Sequence, residues 1–167
     1  MKRTMAWVMA VMWMGVIFTM SAMPGEVSGQ QSGAVVALLL ALLPEGLLQA
    51  IRPDTLALLV RKGAHMAEYA VLCLLLARAL RLSGARRPLV AAAALSAAFA
   101  ATDELHQSFV DGRSAMLTDV VIDTVGAALG ALGCRAARRL LQEKYIKSYI
   151  KKYATSVRIW PSYGIDD

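Results

Sequence analysis

Ionisable side chains lie within several long apolar segments of the 167-residue sequence. A charged side chain at the centre of a bilayer costs roughly 2.5–3.5 kcal/mol on insertion scales, so each one requires a structural or functional reason. In one such segment Lys62, His65 and Tyr69 share a helix face at spacings of three and four, and Glu68 lies beside them. A histidine near a carboxylate is typical of acid–base chemistry and of polar ligand sites.

A second polar group ends a later apolar segment. Asp103, His106 and Gln107 fall on one face of the predicted helix, whereas Glu104 is rotated away from them. The spacing therefore predicts a second set of polar side chains that face one direction.

A third group follows the Asp111-Gly112 pair, which predicts a tight turn that directs Arg113 back towards the helix ends. Asp119 and Asp123 come next, four residues apart on one helix face. We expect Arg113 to pair with a carboxylate, and a histidine nitrogen to lie within hydrogen-bond distance of a carboxylate from another helix.

Together these groups predict a polar pocket. Its members are Lys62, His65, Glu68, Tyr69, Asp103, Glu104, His106, Gln107, Arg113, Asp119 and Asp123. Five carboxylates face only one lysine and one arginine, so the pocket lacks about three positive charges unless acids are protonated, histidines are charged, or a cation or cationic ligand binds. Taken singly, each residue has a simpler interpretation, with His65 as a packed histidine and Glu68 and Asp123 as interhelical hydrogen-bond partners. Two histidines with carboxylates could ligate a divalent metal, but no histidine pair has helical ligand spacing, and we predict neither metal nor cofactor.

The elements that must position these residues are membrane helices. Apolar residues make up 57% of the chain, charged residues 18%, and the mean hydropathy is +0.51. A membrane helix needs roughly 20 apolar residues, which predicts an all-α, four-helix transmembrane bundle. The spans are about 5–23, 58–80, 88–105 and 117–136. The apolar stretch Ala34–Leu43 is too short to cross and predicts an interfacial or re-entrant helix.

Positive charge predicts the orientation. With the N-terminus inside, fourteen lysines and arginines lie on the cytoplasmic side and four on the outer side. Both termini are then cytoplasmic, and the polar pocket faces outward. The alternative for the first span is a cleaved signal peptide, because a basic start followed by an apolar run also fits that pattern.

The C-terminal segment predicts a separate basic region. We divide the chain into a membrane domain at 1–140 and a cytoplasmic tail at 141–167, where Tyr145, Tyr149 and Tyr153 line one side of a basic amphipathic helix that ends near Trp160. The basic residues behind the net charge of +6 flank the apolar runs and lie in this tail. This distribution favours anionic membrane lipid, and not nucleic acid, as the partner of the tail. Gly126, Gly130 and Gly133 predict close packing of the fourth span on the alanine-rich third span.

The sequence resembles the VanZ-like family of small bacterial membrane proteins over roughly residues 58–133. The resemblance rests on RKGAHMAEYAVLCLLLA and on DELHQSFVDGRSAMLTDVVIDTVGAALG, with Ser21-x-x-Pro24 as a further match. Carried over by position, the family motif falls on Lys62, His65, Tyr69, Asp103, Glu104, His106, Gln107, Gly112, Arg113, Asp119 and Gly126. Met66 and Asp123 depart from the family pattern, which has Phe and Asn there.

The founding member of that family is associated with resistance to the glycopeptide teicoplanin, so the resemblance implies a role in the cell envelope. Three functions follow as hypotheses. The first is an envelope protein of the bacterial plasma membrane that binds a cell-wall precursor, a lipid or an amphiphilic antibiotic. The second is an enzyme acting on a lipid-linked substrate, with His65 or His106 as general base and Arg113 holding an anionic group. The third is an ion-coupled carrier, which the lack of an inverted repeat disfavours.

Overall fold

The computed structural model describes residues 1–42, 52–113 and 115–157, and within them the protein is helical without strands. The helices are α1 (Lys2–Ser21), α2 (Gly25–Leu42), α3 (Pro53–Leu82), α4 (Pro88–Gln107) and α5 (Leu117–Val157). Prolines open α3 and α4 because their fixed φ suits the first turn and that position needs no N–H donor.

Four of these helices, α1, α3, α4 and α5, are long and apolar enough to cross a membrane. They coincide with the four predicted spans, and the prediction of an all-α bundle is confirmed. Helix α3 begins at Pro53, before its predicted start at 58, and α5 continues past 136 into the predicted basic helix, because a helix continues past the apolar stretch that marks it in a sequence. Helix α1 instead ends at Ser21, short of the predicted limit at 23.

Helix α3 is the centre of the bundle and packs against α1, α2 and α4. Its residues Tyr69, Leu72 and Cys73 are completely buried. Ile17 of α1 and Ala100 of α4 belong to the same apolar core. Residues on α3 therefore meet side chains from most other elements, which suits it to carry a site.

Two glycines of α5, Gly126 and Gly130, pack against α3. A Cβ atom at Gly126 would lie 2.3 Å from the carbonyl oxygen of Met66, and one at Gly130 would lie 2.7 Å from that of Ala70. Only glycine permits so close an approach of two backbones. The expectation that these glycines pack on the alanine-rich α4 is wrong, because small residues indicate a close contact without identifying its partner.

Helix α2 is longer than the sequence indicates. The apolar stretch from Ala34 forms only its second half, and the helix begins at Gly25 with a polar segment. The N–H of Gly25 donates to the carbonyl of Asp111 at 3.2 Å, which fixes the helix start to the α4–α5 loop. Leu43, the predicted end of the stretch, lies outside the described residues.

Helix α5 has 41 residues, so it is about 60 Å long, roughly twice the bilayer core. The chain divides into two compact units, Met1–Ala131 and a second that begins at Leu132. The predicted domain boundary at residue 140 lies within this continuous helix. Trp160, the predicted end of the basic helix, lies outside the described residues.

Candidate functional site

The predicted polar residues gather at one end of the bundle, where α1 and α4 finish and α5 begins. We call this region the polar end. Within it the side chains fall into two groups, one closed by hydrogen bonds and one bordering a cavity.

The first group is the Asp103 network, formed by Ser21, Asp103, Gln107 and Arg113. The Ser21 hydroxyl donates to Asp103 Oδ1 at 2.5 Å, and Gln107 Nε2 donates to Asp103 Oδ2 at 3.1 Å. Asp103 is only 1% exposed, so both carboxylate oxygens are satisfied inside the protein. The network joins the end of α1 to the end of α4.

Arg113 completes this network from the α4–α5 loop. Its Nε donates to the carbonyl of Met23 at 2.9 Å and one terminal nitrogen to that of Met20 at 3.4 Å, while the other donates to Gln107 Oε1 at 3.0 Å. A cation at the C-terminus of α1 satisfies carbonyls that the helix leaves without partners and complements its dipole. Burial, followed by the nearby charge of Arg61, lowers the pKa of the Arg113 guanidinium.

The predicted turn before Arg113 is present, with Gly112 at φ +71° in the left-handed region that favours glycine. The expected pairing of Arg113 with a carboxylate is wrong. The turn directs the guanidinium at the end of α1, where its acceptors are the backbone carbonyls of Met20 and Met23. Side-chain types in the sequence do not reveal backbone acceptors.

Glu104 and His106 have separate surroundings. Glu104 is 5% exposed and its Oε1 accepts from the N–H of Met116 at 2.5 Å, next to the start of α5. His106 stacks on Phe18, with ring centroids 4.0 Å apart. Neither side chain lines the cavity. Glu104 instead accepts a hydrogen bond next to the N-terminus of α5, and His106 contributes to the packing of α1 on α4.

Lys62 and Asp119 form a partly exposed ion pair between α3 and α5. It joins the two helices at the polar end, near the close approach of Gly126. A pair with this exposure contributes at most about 1 kcal/mol to stability.

His65 and Asp123 face each other between the same two helices. His65 Nδ1 lies 3.8 Å from Asp123 Oδ1, beyond the hydrogen-bond distance expected from the sequence, and neither atom has a partner among the described residues. Asp123 is 2% exposed. Tyr69 is fully buried beside Phe99 and interacts electrostatically with Asp103.

A cavity of about 150 Å³ opens beside His65. It lies among α1, α2, α3 and the α4–α5 loop. The polar side chains that line it are those of Ser21, Ser28, Gln31, Ser32, Arg61, His65, Glu68 and Arg113. The volume has room for roughly ten water molecules.

Five polar side chains of this wall are absent from the predicted pocket, namely Ser21, Ser28, Gln31, Ser32 and Arg61. Ser28, Gln31 and Ser32 lie on α2, which the sequence predicts as a loop followed by a short apolar helix. Their helical spacing was a usable signal, since the three fall on one face. Arg61 stands next to the predicted Lys62 but was not assigned, although it borders the cavity and Lys62 does not.

The distribution of charge changes the expected ligand. Among the described residues that line the cavity, Glu68 is the one acid, against Arg61 and Arg113. The other acids face protein groups, and Asp123 faces His65. The excess of acids that would favour a cationic ligand is therefore absent at the cavity surface. With His65 neutral, the two arginines exceed the one acid there by one positive charge.

Metal ligation has little geometric support here. No group of three or more histidine, cysteine or acidic side chains in the described residues could hold a metal ion. The potential reactive groups are instead the facing imidazole and carboxylate of His65 and Asp123.

Comparison with known proteins identifies the family. No curated protein matches the chain. No solved structure matches it either. The family model described as VanZ/LLP1 matches residues 6–139, which include every residue of the predicted pocket and at least part of each of the four apolar spans. With four-fifths of its length matched, the chain belongs to the VanZ/LLP1 family.

Proposed function

We propose that this protein binds the polar head group of an envelope lipid or lipid-linked cell-wall precursor in the cavity at its polar end. The observation that carries the proposal is a cavity, bordered by His65, Glu68 and Arg61, at the end of a bundle whose helices suit a membrane. A site at that depth meets lipid head groups, whereas acyl chains run along the apolar helix faces.

The size of the cavity selects among the ligands that the sequence allows. Sites for drug-sized molecules occupy about 300–1,000 Å³. The cavity holds about 150 Å³ and is too small to enclose a whole glycopeptide. A contribution to teicoplanin resistance would then act through the bound lipid or precursor and not through capture of the antibiotic.

A matched pair of substitutions on α3 tests the proposal. Ala64 lines the cavity, whereas the exposed Ala67 of the same helix does not. Native mass spectrometry of protein purified from bacterial membranes should find bound lipid in the parent chain and in Ala67→Phe, and loss of it in Ala64→Phe. Equal retention in both variants would contradict the proposal.

Catalysis on a lipid-linked substrate is the second candidate. The facing pair His65 and Asp123 favours it, because a carboxylate beside an imidazole can orient a general base whose ring also borders the cavity. Mass spectrometry can monitor whether the bound lipid is chemically converted. Conversion by the parent chain but not by His65→Gln would establish this activity.

We further propose that the bundle lies in the bacterial plasma membrane with the polar end outward and both termini cytoplasmic. The support is the distribution of cations, fourteen against four. Cysteine at the exposed positions Ser108 and Ser148 provides the test. An impermeant thiol reagent applied to intact cells should label position 108 alone, and labelling at 148 would reverse the orientation.

For the basic part of α5 we propose contact with anionic lipid. Lys144, Lys147 and Lys151 lie on one side of the helix, and Tyr145 and Tyr149 lie on the other, where their rings are 6.4 Å apart. Such a helix can insert its aromatic side at a membrane surface while its lysines meet phosphates.

Limited trypsin digestion of the full chain in vesicles tests this contact. Cleavage after the lysines should be slower with phosphatidylglycerol present than in pure phosphatidylcholine, and high salt should remove the difference. Equal rates in both vesicles would contradict it.

A further inference from the structure

Arg61 differs from the other cations of the polar end. Lys62 is paired with Asp119, and Arg113 is engaged by two carbonyls and Gln107. Arg61 forms no salt bridge or hydrogen bond with any part of the chain that the structure describes. It nevertheless borders the cavity, where a guanidinium can bind an anion with two parallel hydrogen bonds.

The helix facing Arg61 supplies neutral polar groups and no acid. Ser28, Gln31 and Ser32 of α2 line the same cavity, and Glu26 of that helix does not. Gly29 of α2 lies beside Arg61, since a Cβ atom there would be 3.8 Å from a terminal nitrogen of Arg61, an ordinary van der Waals distance. Hydroxyl and amide groups beside a guanidinium suit an oxyanion with several acceptor atoms.

Arg61 also acts on Arg113 across the cavity. The two like charges repel each other strongly enough for Arg61 to lower the pKa of Arg113. An anion between them would relieve that repulsion, whereas a cationic ligand would add to it. Glu68 and His65 also line the cavity from α3, and Glu68, Asp103 and Glu104 act on the pKa of Arg113 in the opposite sense to Arg61.

We infer that the cavity binds a phosphate group, with Arg61 as its main contact and the α2 side chains Ser28 and Gln31 as further donors. The inference rests on the proposed function and names the chemical class of the head group. Arg61 is then a specificity-determining residue, since it selects phosphate-bearing ligands over uncharged ones with the same acyl chains.

Binding measurements on the full chain in detergent test this with three probes. They are dioctanoyl phosphatidic acid, dioctanoylglycerol and inorganic phosphate. The first two share their acyl chains and differ in the phosphate. The third separates a lipid phosphate from the free ion as the source.

Arg61→Gln should weaken phosphatidic acid binding by about tenfold or more, which is the loss expected for a charge-assisted bidentate contact. Arg61→Lys should recover part of it by restoring the charge. Arg52→Gln is the matched control, because Arg52 is 83% exposed at the start of the same helix and away from the cavity. If inorganic phosphate alone binds with the same dependence on Arg61, the free ion is the source.

Equal phosphatidic acid binding by Arg61→Gln and the parent chain, or equal binding of dioctanoylglycerol and phosphatidic acid, would overturn the inference. Loss of binding in Arg52→Gln to the same extent would also overturn it, because the effect would then follow overall charge. If Ala64→Phe displaces the native lipid but the parent chain binds none of the three probes, the inference of a phosphate site is wrong and the proposed function stands. Lipid retention by Ala64→Phe would reject the proposed function itself.

Discussion

The Asp103 network and the cavity side of the polar end contain the same kinds of residue but differ in how completely they are hydrogen-bonded. In the network, both oxygens of Asp103 and three nitrogens of Arg113 have partners. On the cavity side, His65 Nδ1 has no hydrogen-bond partner among the described residues, and neither has Asp123 Oδ1, which faces His65 but does not line the cavity. Buried polar groups without partners are costly, so a protein keeps them where they serve another purpose.

This difference separates two roles for residues that a sequence groups together. The network fixes the end of α1 against α4 and the α4–α5 loop, and it accounts for Asp103 and Gln107 by structure alone, whereas Arg113 also borders the cavity. The groups beside the cavity remain available to a ligand. We therefore expect substitutions in the first group to lower stability and substitutions in the second to lower binding.

The largest effect on stability is expected where α5 meets α3. Gly126→Ala would place a methyl group against the Met66 backbone, which cannot rotate away as a side chain can. The cost should reach or exceed the about 1–3 kcal/mol usual for overpacked positions. It would also displace Asp123 from His65. Melting of the purified protein measures the loss.

Gly133→Ala is the control for that substitution, because nothing lies within 4 Å of a Cβ atom there. In a helix it should be neutral or stabilising by about 0.5–1 kcal/mol. Equal melting temperatures for the two variants would show that the approach of α5 to α3 is not tight.

The Asp103 network should show the next largest effect. Asp103→Ala removes the acceptor of Gln107 Nε2 and leaves that donor buried, at a cost of about 1–3 kcal/mol, whereas the Ser21 hydroxyl keeps the Ile17 carbonyl as an acceptor. The melting temperature should fall by more than in Asp119→Ala, which breaks a pair that is 24% exposed on each side. A larger fall in Asp119→Ala would contradict the central place of the network.

Arg113 should depend on geometry more than on charge. Arg113→Lys keeps the cation, but one ammonium group cannot reach the carbonyls of Met20 and Met23 and Gln107 Oε1 as the guanidinium does. The free energy of unfolding should fall by about 1.5–3 kcal/mol in denaturant titration. Full rescue by lysine would mean that the charge at the α1 C-terminus is sufficient.

Asp119→Asn should have the smallest effect, below about 1 kcal/mol, because a partly exposed pair gains little over hydration. Its unfolding in denaturant should become less sensitive to salt than that of the parent chain. Unchanged salt sensitivity would show that Lys62 and Asp119 do not interact in solution.

The sequence predicts what depends on local composition. Hydropathy locates α1, α3, α4 and α5, and the Asp-Gly pair before Arg113 predicts the left-handed turn. The placement of so many polar residues at one end also follows from the sequence, because each lies at the corresponding end of its span.

The features that it does not predict depend on tertiary contacts. The polar half of α2 is helical where Gly25 is fixed to the Asp111 carbonyl and the helix packs on α3, and its composition alone resembles a loop. The partners of Arg113 are backbone carbonyls, and Gly126 meets α3 and not α4. Such pairings are set by the packing of distant segments.

The most direct test compares one residue from each group in the same preparation. For His65→Gln and Asp103→Asn, melting temperature and bound lipid per protein are measured together, the second by native mass spectrometry. We expect His65→Gln to melt at the same temperature as the parent chain but to lose its lipid. Asp103→Asn should melt at a lower temperature and, below that temperature, keep its lipid. A His65→Gln protein that retains its lipid while melting as low as Asp103→Asn would contradict the assignment of the cavity side to ligand binding.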